Sequence, residues 1–464
     1  MSTVPLASGP DGPHALRPLL DTVLDALADG TRARGGPLPA GGSGPVAARL
    51  LAALGDPLPD EGDPDALRRL VTAFAETAAD PAHPLCAAHL HCPPLAVATA
   101  ADLAASALNP SLDSWDQAPG ASELEAAVTR ALAAEVYRPA IPSAASAPDA
   151  LVTTGGTESN QLALLLARET HPGVRLLCGA AAHHSLPRAA WLLGLPEPHI
   201  LPTPTGTLDP AALDEALTRL PGPHLVAATA GTTDAGLIDP LPRIAAVCRS
   251  HGARLHIDAA YGGGLLFSAR HRHLLTGLDA AATVTLDLHK LGWQPVAAGL
   301  LAVRDARDLA VLGQRADYLN ADDDTEAGLP DLLGRSPRTT RRPDILKIAV
   351  TLQTLGRTGL GRLVDQVCAS AREFADLIDR HPGFELHAAP TLSTVLFRPA
   401  RADDDTVAAV RRALLTDGRA VLGRARTQDR LWLKATLLNP RTRADDLAAL
   451  LPLVARLVEG HTPR

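Results

Sequence analysis

From Ala150 to Arg304 the chain repeats one rhythm, in which a short apolar run ends in Gly, Thr or Ser and passes into an amphipathic stretch. In ALVTTGGTESNQLALLLAR the apolar run stops at Gly155-Gly156, and helical spacing follows at Leu162, Leu165 and Leu166. VRLLCGAAAHHSLPRAAWLLG repeats the pattern, with His183 and His184 at the end of the run and a helix from about Leu186. HLVAATAGTTDAGLIDPLPRIAAVCRSHGARLHIDAAY is a complete strand, helix, strand crossover; its helix, over 241–251, ends at Gly252 as C-cap glycines do. Continuous apolar strands alternating with helices predict an α/β domain with a mainly parallel sheet.

The flanks differ. Short helical patterns at Leu16–Ala28, Pro45–Leu54 and Ala66–Ala78 are separated by Gly and Pro and carry too little apolar surface for a core of their own. Ser122 with Glu125 fits a capping box that opens a helix. After residue 290, AGLLAVRD reads as an antiparallel or edge strand, and RADYLNADDDTEAGLP as a polar surface loop carrying Tyr318. A long helical run over 344–380, interrupted near 356–361, leads into strands at 384–387 and 393–398, a helix at 404–416, strands near 420 and over 431–436, and a last helix over 443–457. The expected division is an N-terminal helical segment (1–92), a large α/β domain (93–345) and a small α+β C-terminal domain (346–464).

Composition narrows the function classes. Apolar residues make up 46% and charged residues 20%, the values of a globular chain, and the net charge of −8 offers no basic footprint for nucleic acid. No uninterrupted apolar run is long enough to span a bilayer, and MSTVPLASGPDGP lacks signal-peptide features, so the expectation is a cytoplasmic protein without membrane contact. The five cysteines form no CxxC pair, and HLHC has the wrong spacing for a closed zinc site, so no metal is expected. There are three lysines against forty arginines, and a lysine inside an apolar stretch therefore calls for its own explanation.

That lysine is Lys290, and Asp258 stands in the same way at the end of the preceding apolar run. An acid and a lysine at the ends of neighbouring strands are what pyridoxal phosphate chemistry asks for. The lysine forms a Schiff base, and the acid keeps the pyridine nitrogen protonated so that the ring can take up electrons. Gly155-Gly156-Thr157 before a helix would cradle a phosphate, while the absence of GxxxxGK[ST] argues against a nucleoside triphosphate. A histidine at 183 or 184 could stack on a flat ring. The same residues also admit readings without chemistry: a lysine snorkelling at a strand end, a plain glycine turn, a histidine capping a helix.

Taken in order, GGTESN, AHHS, ATAGTTDAG, HIDAAYGG, LDLHK and ADYLN resemble the group II pyridoxal-phosphate-dependent amino acid decarboxylases of the aspartate aminotransferase fold (fold type I). The likeness runs from residue 83 to the C-terminus. HLHCPP, SLDSWDQAP, LGWQPVAAG, ADYLNADDD, TTRRPDILK and LKATLLNP look most like the bacterial L-2,4-diaminobutyrate decarboxylases. The resemblance implies a central, mainly parallel seven-stranded sheet, pyridoxal 5′-phosphate as cofactor, and a homodimer with active sites at the interface and the N-terminal segment packed on the partner. It implies that Lys290 is the Schiff-base lysine, preceded by His289, that Asp258 pairs with the pyridinium nitrogen, that Ala260 lies beneath the ring and that His183 stacks over its other face. Gly156 and Thr157 would hold the phosphate and Thr233 would lie near the ring. Tyr318 would protonate the substrate carbon after CO₂ leaves, and His89, Cys92 and Trp115 would line the substrate pocket. Thr339 and Thr340 replace the family's common Leu-Gly where the partner approaches the phosphate, with Thr340 as a cofactor contact; His184 is given no role.

The implied reaction is decarboxylation of a small polar or diamino acid such as L-2,4-diaminobutyrate. Glutamate, aspartate and aromatic substrates stay open. So does another reaction on the same fold, namely transamination, aldehyde synthesis or sulfur elimination. A chain that kept the fold and lost the chemistry would be a binding protein instead.

Overall fold

Element boundaries come from a computed structural model that describes residues 4–138, 147–313, 319, 322–329 and 331–461. The strands, in chain order, are β1 (Cys86–Ala87), β2 (Asp149–Thr153), β3 (Arg175–Gly179), β4 (His199–Leu201), β5 (His224–Thr229), β6 (Arg254–Ala259), β7 (Thr283–Asp287), β8 (Gly299–Val303), β9 (Phe384–Leu386), β10 (Thr394–Pro399), β11 (Val421–Thr427) and β12 (Arg430–Thr436). Two compact units emerge: Pro94–Cys368 with Pro390–Leu392, and Met1–Pro93 with Ala369–Ala389 and Ser393–Arg464.

The unit built on Pro94–Cys368 contains the expected seven-stranded sheet, ordered β2-β8-β7-β6-β5-β3-β4. Six strands run one way and β8 runs against both its neighbours, so the antiparallel strand read from AGLLAVRD lies inside the sheet and β2 forms the edge. Every residue of β2, β5, β7 and β8 is buried, which is why these strands read as continuous apolar runs instead of alternating ones. Helix Gly156–Thr170 lies against β2, β6, β7 and β8. Its Leu162 and Leu166 pack with Leu151 and Leu301, and its Leu164 and Ala167 with Leu176, Leu186 and Leu225. The helix therefore buries both flanks against the sheet, leaving its N-terminus at the carboxyl ends of the strands, where such sheets bind ligands.

The other unit joins the N-terminal helices Gly12–Arg34, Ser43–Leu54 and Ala66–Thr77 to a five-stranded sheet ordered β1-β11-β12-β10-β9. β1 pairs in parallel with β11, so residues just before 93 complete a sheet whose other strands come from beyond 383. Phe374, Phe384 and Phe397 meet in its core, with Val395, Leu414, Leu433 and Val454. The long helix Ile345–Asp379 carries its break at Gly356, where φ is 61°. Among the described residues no helix is long and apolar enough to cross a membrane.

The expected capping box is corrected. The helix begins at Pro119, three residues before Ser122, so Ser122 is a buried residue inside it. Glu125 does not cap. Both its carboxylate oxygens bind Arg341, at 2.8 and 3.1 Å, and the two side chains are 0% and 2% exposed. A buried guanidinium in bidentate geometry outcompetes a backbone N–H for a carboxylate. Removing one partner leaves the other buried and unpaired, so Glu125→Ala is expected to destabilise this unit by about 3–5 kcal/mol, while Glu125→Leu combined with Arg341→Met recovers most of the loss. Chemical denaturation of the three proteins checks this.

Candidate active site

Four carboxyl-end segments of the large sheet build the site. β6 ends in Asp258, which is 5% exposed; its Oδ2 accepts a hydrogen bond from Asn160 Nδ2 at 2.8 Å and its Oδ1 one from the Ala260 N–H at 3.0 Å. β7 ends in Asp287, and the one-turn helix Leu288–Leu291 then presents Lys290, whose Nζ lies 2.8 Å from Asp287 Oδ2. His289 Nε2 is 3.5 Å from the same oxygen, and its Nδ1 accepts from the Ala298 N–H at 3.3 Å. Burial pushes the His289 imidazolium toward deprotonation, offset in part by Asp287.

The turn after β2 is glycine for steric reasons. Gly155 has φ 154°, and a side chain on Gly299 of β8 would come within 2.4 Å of the Gly155 backbone. A methyl on Gly155 would meet His289 Cε1 at 3.0 Å, and one on Gly156 would meet Ala260 Cβ at 3.0 Å and Asp287 Oδ2 at 3.1 Å. The open space kept by these glycines is thus bordered by His289, Ala260 and Asp287, at the N-terminus of a fifteen-residue helix. Free N–H groups and the positive end of the helix dipole make it a seat for an anion. Thr157 is exposed at the start of the helix, and Glu158 turns back to accept from the Thr154 N–H at 2.6 Å and from Arg338 Nε at 3.0 Å.

Asn160, one turn further along, is fully buried and makes four hydrogen bonds. Its Nδ2 donates to Asp258 Oδ2 and, at 2.9 Å, to Ser185 Oγ; its Oδ1 accepts from Thr285 Oγ1 at 2.8 Å and from His256 Nε2 at 3.0 Å. Ser185 Oγ lies 2.8 Å from His183 Nδ1, which also faces the Ser185 N–H at 3.3 Å. Nδ1 of His183 is therefore the acceptor, and the ring carries its proton on Nε2. Burial shifts His183 toward the neutral form, against the pull of Asp258. One amide thus ties the acid of β6 to the imidazole after β3. The sequence reading missed both Asn160 and Asp287, although GGTESN and LDLHK contain them: an acid three residues before the lysine was the available signal.

Residues 65–400 match the pyridoxal-dependent decarboxylase conserved domain. The chain belongs to the pyridoxal-dependent decarboxylase family. It is 39% identical over 403 residues to an L-2,4-diaminobutyrate decarboxylase of Rhizobium meliloti (82% of this chain and 80% of the relative), and 31% identical over 410 residues to one of Acinetobacter baumannii (80% and 79%). Its fold superposes with TM-score 0.84 and 31% identity on the crystal structure of the glutamate decarboxylase domain of diaminobutyrate-pyruvate transaminase and L-2,4-diaminobutyrate decarboxylase from Vibrio parahaemolyticus, covering 98% of each chain. As a pyridoxal-dependent decarboxylase the chain is a carboxy-lyase of fold type I that uses pyridoxal phosphate and acts on an amino acid.

The residues present suit that cofactor. The decarboxylase needs an amine open to the cleft, and the Lys290 side chain keeps 19% of its surface. It also needs a buried acid for the ring nitrogen and a space for phosphate, which Asp258 and the Gly155–Gly156 turn offer. The remaining expected residues are distributed as follows. Thr233 is exposed on the turn after β5, where its neighbour Thr232 is buried and accepts from the Leu237 N–H at 3.0 Å. Trp115 is half-buried in the turn before helix Pro119–Val136, in a segment tied to Arg341 by the Leu112 N–H, while Thr340 beside Arg341 is exposed. Asp113 and Asp116 accept from Gln117 and Ser114 within that turn. His89, exposed, and Cys92, buried, follow β1 in the other unit. Tyr318 lies outside the described residues.

His256 links this network to stability. Burial drives its pKa from 6.5 down to about 4, so it folds neutral. An unfolded chain takes up a proton there at a higher pH than the folded one, so the contribution is complete above about 6.5 and is lost as the pH falls toward about 4, on the order of 3 kcal/mol in all. Unfolding of wild type and His256→Gln followed from pH 7 to 4 is expected to show a shallower pH slope in the variant.

Proposed function

We propose that this decarboxylase converts L-2,4-diaminobutyrate to 1,3-diaminopropane and CO₂. The observation that carries the substrate is the match to two L-2,4-diaminobutyrate decarboxylases across about four-fifths of both chains. Pyridoxal phosphate supplies, when bound, an electron sink for the pair left at Cα as the carboxylate departs. Lys290 would provide the primary amine that holds the cofactor. Asp258, fixed by Asn160 and the Ala260 N–H, keeps the pyridine nitrogen protonated. His183, oriented by Ser185, would cover one ring face and Ala260 the other, while Gly156, Thr157 and the helix N-terminus would hold the phosphate. Thr233, His289 and Thr340 would complete the cofactor contacts, and Trp115 would line the substrate pocket.

Tyr318 delivers a proton to Cα, which makes an amine the product instead of an aldehyde. The enzyme works as a cytoplasmic homodimer with its active sites at the interface. Apolar side chains left open on the N-terminal helices support the dimer: Leu24, Leu51 and Phe74 are 63%, 62% and 66% exposed.

A panel of amino acids, including 2,4-diaminobutyrate, ornithine, glutamate, aspartate and the aromatic acids, with CO₂ and amine scored by mass spectrometry, tests the substrate. The expected outcome is 1,3-diaminopropane from diaminobutyrate at the highest kcat/KM; a preference for glutamate or an aromatic acid would overturn it. Tyr318→Phe is expected to lower amine output by about 10²–10⁴-fold, the range of a positioned proton donor. Unchanged output would remove Tyr318 from its role.

A further inference from the structure

Asp287 has no place in the roles above, yet it is the group nearest to Lys290. Its side chain is 2% exposed; Oδ2 touches Lys290 Nζ at 2.8 Å and His289 Nε2 at 3.5 Å, while Oδ1 is buried and accepts no hydrogen bond among the described residues. The same carboxylate borders the glycine turn, with Oδ2 3.1 Å from where a Gly156 Cβ would stand and Oδ1 3.8 Å from the corresponding point on Gly155. The groups facing it are Lys290 and His289 on the one-turn helix, the N-terminal end of helix Gly156–Thr170, and His183, whose titration feels its charge.

This placement creates an electrostatic conflict once the site is loaded. Alone, the carboxylate is balanced by the Lys290 ammonium. Attachment of the cofactor takes Lys290 into a covalent bond, and a phosphate then takes the seat that adjoins Asp287. Two acidic groups sharing a buried site cannot both keep full negative charge without a large penalty, and the usual resolution is that one of them holds a proton.

We propose that Asp287 is a proton-holding residue of the loaded site: it takes up one proton from solvent when the phosphate fills the adjoining seat and keeps it, as a neutral carboxylic acid beside the Gly155–Gly156 turn, for as long as the cofactor is bound. The step is a proton uptake, in which one carboxyl O–H bond forms with a proton drawn from water and no oxidant or reductant is consumed. As an acid, Asp287 also becomes a donor, which gives its buried side chain a partner in the phosphate. The inference rests on the assignment of Lys290 and the glycine turn made above.

Infrared difference spectra of holoenzyme minus cofactor-stripped enzyme test it directly. The expected result is a carboxylic-acid carbonyl band that shifts in D₂O, shifts with ¹³C-aspartate labelling, and vanishes in Asp287→Asn. Absence of the band in the wild-type protein, a measurement that needs no variant, would overturn the proposal, and so would its persistence in Asp287→Asn. A second readout is the preference for pyridoxal phosphate over pyridoxal, taken as a ratio of Kd values. If Asp287 is already neutral in the loaded enzyme, Asp287→Asn keeps that ratio within about threefold; an ionised Asp287 would repel the phosphate, and the variant would gain more than about tenfold. Lys290→Ala separates this proposal from the reading beneath it. If that variant still acquires the visible absorbance of covalently held cofactor, the attachment site is wrong; if it does not and the infrared band is missing from the wild-type holoenzyme, only the role of Asp287 falls.

Discussion

The side-chain amide of Asn160 sits in a space with no access to water, and both its ends must be satisfied by the protein. Its two donors go to Asp258 and Ser185 and its acceptor takes bonds from His256 and Thr285, so one residue on the helix after β2 fixes groups on β6 and β7 and at the start of the helix after β3. The geometry of the site follows from this satisfied network. Asp258 cannot rotate without leaving an unpaired amide, and the tautomer of His183 is dictated through Ser185. The acid proposed to meet the ring nitrogen and the imidazole proposed to cover the ring are parts of one hydrogen-bonded unit.

Around this network, charge is placed in pairs. Lys290 is held by Asp287, Glu158 beside the glycine turn by Arg338, and Arg341 by Glu125. Lys347, with a fully buried side chain, lies 3.0 Å from Asp344 and 3.2 Å from Asp102. Three of these pairs draw on residues 338–347, so the segment TTRRPDILK is organised by ion pairs to helices far from it in sequence. Burying a charge is tolerable only with a partner in good geometry, and such pairs specify where a segment lies more than they add to stability.

Much of the site could be read in advance because its parts are local. Lys290, Asp258 and the Gly155–Gly156 turn each stand where an apolar run stops, and a run, a break and a helix are visible in a few consecutive letters. The seven-stranded sheet could be read for the same reason, since strands buried on both faces must be continuously apolar. Glu125 misled because S-x-x-E has two physical outcomes, a cap or an ion pair, and the deciding partner, Arg341, is remote in sequence.

The sequence by itself determined the α/β rhythm and the cofactor class and singled out Lys290 and Asp258 as candidates, because each depends on neighbours along the chain. Only the tertiary structure decided that β8 runs antiparallel inside the sheet, that β1 joins strands from beyond residue 383, that Asn160 binds four partners, and that Asp287 stands against both Lys290 and the glycine turn. Those facts arise where strand ends meet across the sheet. There, distance is set by hydrogen-bond register and packing, and neither leaves a periodic trace in the order of the residues.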